Sequence, residues 1–240
     1  MSFRNSVTII TSPRPRVGKT LLARLLTDFY LHNGRQVAAF DLNSGEGTLA
    51  QFLPEHVTVA NIDDIKGQMA LFDRLVANDE IPKIVDLGHA AFDSFFTVAG
   101  QIGFAEEARR LSIAPAILFI ITPDRTSVEA YAALRRRFAQ VTLTPVHNEI
   151  LGSAQYRDKY QLTGGGAVLV HIPALAPGLR KVIERRPFSF VDSRTMSPLD
   201  IPLDVHMQLQ RWLRRIFVEF RELELRILLA DLQSSLQIQS

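Results

Sequence analysis

The chain has 240 residues, 47% of them hydrophobic, and its 27 basic and 25 acidic residues give a net charge of +2. This size allows one large α/β domain or at most two small ones, and the balanced charge does not by itself indicate a nucleic-acid partner. The chain contains no cysteine, which excludes disulfides, thiolate catalysis and cysteine metal sites. The N-terminus is unlike a signal peptide and no long uncharged apolar run predicts a membrane span, so we expect a cytoplasmic protein.

Apolar runs alternate with helical patterns along the chain, which predicts an α/β fold with a doubly wound, mostly parallel sheet flanked by helices. Continuously apolar runs such as 116–121 are typical of parallel strands that are covered on both faces. Ligands are then expected at the carboxyl ends of the strands. The predicted strands are 6–11, 36–41, 57–60, 82–87, 116–122, 140–144 and 167–172. The predicted helices are 19–33, 46–53, 64–78, 94–112, 126–138, 176–185 and 203–236.

The segment 12–20 directly follows the first predicted strand, and its sequence SPRPRVGKT ends like a phosphate-binding P-loop. Gly18 lets the backbone come close to phosphate oxygens, while the amides at the start of the next helix point at the anion. Lys19 is expected to place its charge on the β- and γ-phosphates, and Thr20 to offer its hydroxyl to Mg²⁺. The residues expected to contact the nucleotide here are Arg16, Val17, Gly18, Lys19, Thr20 and Leu21.

Two further predicted strands end in an aspartate, Asp41 or Asp86. Asp86 lies in the run IVDLG, which is typical of a Walker B strand whose carboxylate holds Mg²⁺ directly or through water. Asp41 precedes a glycine-rich turn and is expected near the P-loop, although a carboxylate at such a place also serves as a helix cap or turn former. The predicted metal site therefore consists of Thr20, Asp41 and Asp86.

These segments together resemble the ParA/MinD-type P-loop ATPases, a group that also contains dethiobiotin synthetase and cobyrinate-type ligases. The resemblance covers residues 5–190. The family loop GKGGVGKT aligns with PRPRVGKT, so the Walker A loop is degenerate, and Pro13 and Pro15 remove two backbone donors. Arg14 stands where the family has its signature lysine, which reaches across a dimer to the partner's nucleotide. The alternative for Arg14 is a solvent-exposed loop charge.

The resemblance also implies the catalytic residues, which are Lys19, Asp41, Asn43 and Arg14. Asn43 stands at the second aspartate of the family's Asp-x-Asp motif, a position that helps to orient the attacking water. An amide can hydrogen-bond water but cannot accept its proton as a carboxylate can. We therefore expect ATP hydrolysis to be slow or absent.

A later segment resembles the part of the family that meets the adenine base. Ile172 and Pro173 end a strand and precede a basic helix, as in the family. The resemblance implies that the backbone near Pro173 approaches the adenine and that Asn148, which follows the preceding strand, contacts the base.

The last predicted helix begins near residue 203 and carries two apolar rows. We expect residues 1–202 to form the nucleotide-binding domain, and residues 203–240 to pack on that domain or on a partner. One row is enough for one contact, so the second row, in the distal half, predicts a partner or dimer contact. A membrane-surface role is less favoured because acidic residues dilute the basic face. The first row comprises Leu209, Leu213, Ile216, Phe220, Leu223, Ile227 and Ala230. The second comprises Val218, Leu225, Leu229, Leu232 and Leu236.

Basic residues cluster in the C-terminal half of the chain. If these clusters share one face, they form a patch for non-specific DNA contact, and otherwise they are solvated surface charges. The clusters are Arg135–Arg137, Arg180 with Lys181, Arg185 with Arg186, and Arg211 with Arg214 and Arg215.

The leading hypothesis is an ATP-binding switch that uses ATP and Mg²⁺ as cofactors. Mg-ATP at the P-loop promotes a homodimer and the binding of a protein partner, and weak ATPase activity resets the switch. The first alternative is a non-hydrolysing nucleotide-binding scaffold, motivated by Asn43 and the two loop prolines. The second is an ATP-dependent ligase like dethiobiotin synthetase, although such enzymes carry a lysine where this chain has Asp41.

Overall fold

The computed structural model describes residues 6–43, 48–152, 160, 169–194 and 200–237, with side chains of the last helix described as far as Leu229. The strands in these ranges are β1 (Ser6–Thr11), β2 (Ala38–Leu42), β3 (Val57–Val59), β4 (Lys83–Leu87), β5 (Ala114–Ile120), β6 (Thr142–Asn148) and β7 (Val170–Ile172). The helices are α1 (Lys19–His32), α2 (Thr48–Phe52), α3 (Ile65–Leu75), α4 (Phe92–Gln101), α5 (Phe104–Arg110), α6 (Arg125–Arg137), α7 (Pro177–Ile183) and α8 (Leu203–Gln237).

The strands form one parallel sheet in the order β3-β2-β4-β1-β5-β6-β7. The chain leaves β1 towards β2 and leaves the adjacent β4 towards β5, on the opposite side. This reversal makes the carboxyl ends of β1 and β4 a topological switch point, where open α/β sheets bind ligands. The register pairs Ile10 with Asp86, and Asp86 with Asp41, so the P-loop and both predicted aspartates meet there.

Each face of the sheet is covered by its own hydrophobic core. Helices α1, α2, α7 and α8 bury apolar side chains on one face, and α3, α4, α5 and α6 bury theirs on the other. The apolar stripes of these helices match the apolar faces of the strands, and burying both drives the layers together. The predicted doubly wound parallel sheet and the long C-terminal helix are confirmed.

Two of the predicted elements differ most from the structure. The predicted helix 94–112 is broken into α4 and α5, because Gly103 adopts the left-handed conformation, with φ of 63°. The predicted strand 140–144 stops too early, since β6 continues through Pro145 to Asn148. This extension carries Asn148 to the carboxyl edge of the sheet, beside the P-loop.

The two apolar rows of α8 have different surroundings. The first row packs into the core, with Leu209 and Phe220 fully buried and Ile227 partly buried against it. The second row faces outwards, since Val218, Leu225 and Leu229 are 49%, 60% and 57% exposed. The side chains of Ala230, Leu232 and Leu236 lie outside the described part of the helix. No helix among the described residues combines the length and apolar character needed to cross a membrane.

The basic clusters do not share one face, which was the condition for a single DNA-binding patch. Helix α6, which carries Arg135–Arg137, packs on the same core as α3, α4 and α5. Helices α7 and α8 pack on the core at the opposite face. Arg180 and Lys181 lie on α7, Arg185 and Arg186 follow its end, and Arg211, Arg214 and Arg215 lie on α8. The sheet therefore separates the cluster of α6 from the rest.

Candidate functional site

The P-loop connects β1 to α1 in a conformation that needs glycine at position 18. Gly18 has a φ of 98°, and Arg16 also has a positive φ, of 59°. A Cβ on Gly18 would lie 2.6 Å from Nδ2 of Asn148. That amide donates to the carbonyl oxygen of Val17 at 3.0 Å, so the loop fits closely against the end of β6. Glycine is required here both by the backbone and by the close contact.

Lys19 points back into the loop. Its side chain is buried, and Nζ donates to the carbonyl oxygen of Arg14 at 2.6 Å. Burial lowers the pKa of Lys19 to about 8, against the opposing effect of the Asp86 carboxylate. Among the described residues, the carbonyl of Arg14 thus holds the ammonium group inside the P-loop, and an anionic oxygen can replace it as the partner.

Thr20 and Asp86 form the second part of the site. The Thr20 hydroxyl donates to Oδ2 of Asp86 at 2.7 Å, and Asp86 is fully buried. Burial raises the pKa of Asp86 to about 7, with the Asp41 carboxylate adding to the rise and the Thr20 and Asn43 hydrogen bonds opposing it. No described residue donates a hydrogen bond to Oδ1 of Asp86.

Asp41 is held by the backbone that begins α2. Its Oδ2 accepts from the amides of Leu49 and Ala50 at 2.7 and 3.1 Å. Its Oδ1 accepts from the backbone and side-chain amides of Asn43 at 3.0 and 2.8 Å. These four N–H donors engage both carboxylate oxygens, which is the helix-capping role that the sequence left open. The glycine-rich turn 44–47 that follows lies outside the described residues.

Asn43 bridges the two aspartates. Its Nδ2 donates to Oδ1 of Asp41 at 2.8 Å and to Oδ2 of Asp86 at 2.9 Å. The amide therefore places donor hydrogens between two buried carboxylates from neighbouring strands. An aspartate in its place would bring a third negative charge to the same point.

Arg14 is paired within its own chain, although its side chain remains 42% exposed to solvent. Its Nε and Nη2 donate to Oδ1 of Asp124 at 2.8 and 2.6 Å, and Nη2 also donates to the Thr126 hydroxyl at 3.1 Å. Asp124 caps α6 by accepting from the amide of Ser127 at 3.1 Å. The guanidinium group thus joins the P-loop to the start of α6.

The residues predicted near the adenine lie at the carboxyl ends of β6 and β7, which pair side by side. Asn148 is buried, donates to the P-loop, and accepts from the amide of Ile150 at 3.2 Å. The carbonyl oxygen of Pro173 accepts from Nε1 of Trp212 on α8 at 2.9 Å. Leu21, predicted to contact the nucleotide, lies in the first turn of α1 and packs against the core.

The donor set fits a magnesium ion held jointly by protein and nucleotide. Among the described residues no cluster of three histidine or acidic side chains could hold a metal alone. Thr20 supplies a hydroxyl and Asp86 a buried oxygen without a hydrogen bond, and Mg²⁺ usually completes such a pair with phosphate and water oxygens. Asp41 fits less well, since both its oxygens already accept two hydrogen bonds.

Sequence reasoning missed Asp124 as a member of the site. It lies 110 residues from Arg14 in the chain, and the helix cap preceding α6 was its only local signal. The partnership depends on β1 and β5 being neighbours in the sheet, which brings the loops after both strands together.

Comparison with solved structures shows that the fold of this chain is similar to that of MinD. The sequence matches no protein-family profile and no curated protein. The structure is similar to the MinD cell division protein of Aquifex aeolicus, with a TM-score of 0.53, 16% identity, and coverage of 86% of this chain and 95% of that chain. The structure is also similar to the MinC:MinD cell division protein complex of the same organism. The TM-score is 0.52 and the sequence identity 15%, and the match covers 86% of this chain and 94% of that chain.

A third solved structure extends the same likeness. A nucleotide-binding protein of Archaeoglobus fulgidus in complex with ADP has a TM-score of 0.50 and 15% identity, and covers 76% of this chain and 86% of that chain. The resemblance inferred from the sequence motifs is confirmed at the level of the fold.

Proposed function

We propose that this chain is a Mg-ATP-binding molecular switch of the ParA/MinD type. The observation that carries the proposal is the meeting of Lys19, Thr20 and Asp86 at the carboxyl ends of β1 and β4, with Thr20 and Asp86 2.7 Å apart. Lysine on a P-loop, a hydroxyl at the following helix position and a buried carboxylate on the neighbouring strand form the donor set for a triphosphate with its metal. The MinD-like fold supports the same reading.

Each residue has a distinct role in this proposal. Lys19 exchanges the Arg14 carbonyl for oxygens of the β- and γ-phosphates, and the amides from Arg16 to Leu21 surround the phosphates. Thr20 and Asp86 would hold Mg²⁺, which neutralises phosphate charge. The Asp41 carboxylate orders the start of α2 and holds Asn43 in place.

Partner binding completes the proposed switch. The exposed row of α8, with Val218, Leu225 and Leu229, offers apolar surface that the sheet does not use. One of the similar structures is MinD in complex with MinC, which supports a protein partner for this fold. We place homodimerisation with ATP in the same cycle.

A second candidate function is a nucleotide-binding scaffold that does not hydrolyse ATP. The bridging amide of Asn43 favours it, because the position that should orient and deprotonate water donates hydrogen bonds to two carboxylates instead. In this case nucleotide binding alone would set the partner affinity.

Titration calorimetry with Mg-ATP tests the proposal. We expect the native chain to bind, Lys19→Ala to lose at least about tenfold in affinity through loss of a charged phosphate contact, and the exposed Lys66→Ala on α3 to match the native chain. Absence of binding, or equal affinity for Lys19→Ala, would contradict the proposal.

Light scattering measures the molecular mass with ATP and with ADP, and we expect a dimer with ATP. Phosphate release above the Lys19→Ala background decides between switch and scaffold.

A further inference from the structure

Other hydrogen bonds hold both Arg14 and Asp124 in place for their ion pair. Asp124 is oriented by the Thr122 hydroxyl, which donates to its Oδ2 at 2.6 Å, and by the Ser127 amide, which donates to Oδ1. Burial opposes ionisation, but hydrogen bonds from Arg14 and Thr122 hold the pKa of Asp124 at about 2. The carboxylate is therefore charged and fixed, and two guanidinium nitrogens meet one of its oxygens.

The degenerate loop needs such an attachment. Pro13 and Pro15 cannot donate backbone hydrogen bonds, so two of the usual donors that shape a P-loop are missing. Arg14, which lies between them, is held at its carbonyl by Lys19 and at its side chain by Asp124. When the Lys19 ammonium turns to a phosphate, the first of these contacts is lost and the second remains. Asp124 then becomes the main anchor of the middle of the loop.

We propose that Arg14 is a positioning residue that clamps the P-loop to the start of α6 within its own chain and thereby sets the affinity of the loop for a nucleoside diphosphate. This inference rests on the proposed nucleotide binding. It differs from the role across a dimer that the family resemblance implies. To reach a partner's nucleotide, Arg14 would have to give up both hydrogen bonds to Asp124 and the one to Thr126.

Binding of Mg-ADP separates the two roles, because a residue that acts only on the partner's nucleotide in an ATP dimer leaves the ADP affinity unchanged. We expect Arg14→Ala and Asp124→Asn each to weaken Mg-ADP binding about tenfold, as the loss of one charge-assisted contact predicts. The double variant should be no weaker than either single variant, since both remove the same contact. The reversed pair Arg14→Asp with Asp124→Arg should recover part of the affinity. Arg125→Ala, which removes an exposed pair with Glu129 on α6, is the matched control.

Hydrogen exchange on the nucleotide-free chain reports the clamp independently. Asp124→Asn should speed exchange in residues 12–18, while Arg125→Ala should not. Native ADP affinity in both Arg14→Ala and Asp124→Asn, or additive losses in the double variant, would overturn the clamp and leave nucleotide binding standing. A native chain that binds neither Mg-ADP nor Mg-ATP would overturn the proposed function itself, and the clamp's effect on affinity with it.

Discussion

At the scale of single residues, Asn43 places a hydrogen-bond donor between the two negative charges of the site. Its amide nitrogen donates to carboxylates on two neighbouring strands, both of which are fully buried. Like-charged buried groups repel strongly unless a proton, a cation or a donor lies between them. Asn43 supplies a donor to both carboxylates. An amide cannot accept a proton from water as a carboxylate can.

Replacing Asn43 by aspartate tests this role. We expect Asn43→Asp to lower the free energy of unfolding in the presence of EDTA by about 1–3 kcal/mol, because a donor is lost between buried carboxylates. Mg²⁺ should restore part of the loss, and phosphate release should rise above the native rate. Thermal unfolding with and without Mg²⁺ measures the first effect. The exposed Asn61→Asp is the control, and a variant as stable as the native chain in EDTA would contradict the argument.

Gly18 is constrained both by its backbone conformation and by a close side chain, whereas Gly34 is constrained by its backbone conformation alone. Both have positive φ, of 98° and 70°, but only Gly18 has an atom within 4 Å of the place of a Cβ. Gly34→Ala should therefore cost about 1–2 kcal/mol, the cost of a left-handed conformation alone. Gly18→Ala should cost more and should abolish nucleotide binding, because Asn148 must move away from Val17. Urea denaturation of both variants measures the difference, and equal costs would refute the role of Asn148.

At the scale of elements, α8 packs with one row of apolar side chains and exposes another. Phe220 is fully buried, and its ring centroid lies 5.6 Å from that of Phe29 on α1. Phe220→Ala should lower the free energy of unfolding by about 3–5 kcal/mol through the cavity it leaves. Leu225→Ala, on the exposed row, should change it by less than about 0.5 kcal/mol. Chemical denaturation of both variants tests the orientation of α8, which a large effect of Leu225→Ala would show to be wrong.

The elements that were predicted well have sequence patterns that can be recognised within a short segment. Continuous apolar runs located the strands, and the 3.6-residue spacing located α1, α6 and α8. The two failures had different causes. The break at Gly103 follows from the freedom of glycine to adopt a left-handed conformation, a local signal in a pattern that otherwise indicates one helix. Pro145 stands inside β6 although proline usually ends a strand, and there the pairing with β5 outweighs the local preference.

At the scale of the whole molecule, the site depends on the order of the strands rather than on any one segment. The P-loop, Asp41 and Asp86 could be predicted as neighbours because each follows or ends a parallel strand. The contact of Arg14 with Asp124 could not, since nothing in the sequence states that β1 lies between β4 and β5. The capping of α2 by Asp41 likewise appears only when the backbone is folded.

The distribution of charge over the molecule leads to the last prediction. Arg135–Arg137 lie on the opposite side of the sheet from the clusters of α7 and α8, and Arg180 is paired with Glu184. Non-specific DNA binding needs several free cations on one face, because each phosphate contact adds to the affinity and to its salt dependence. The clusters near α7 and on α8 still lie on one side of the sheet, so we expect any duplex binding to depend on these clusters and to be weak at about 0.15 M salt.

Fluorescence anisotropy with a labelled duplex over a series of salt concentrations measures this. Any binding at low salt should weaken in the double variant Arg211→Ala, Arg215→Ala, because these exposed residues of α8 lie on the same side of the sheet as α7. It should be unaffected by Arg135→Ala with Arg136→Ala, on the other face. Firm binding at about 0.15 M salt that both pairs of substitutions reduce equally would mean that the DNA contacts both faces of the sheet, against the arrangement of the layers.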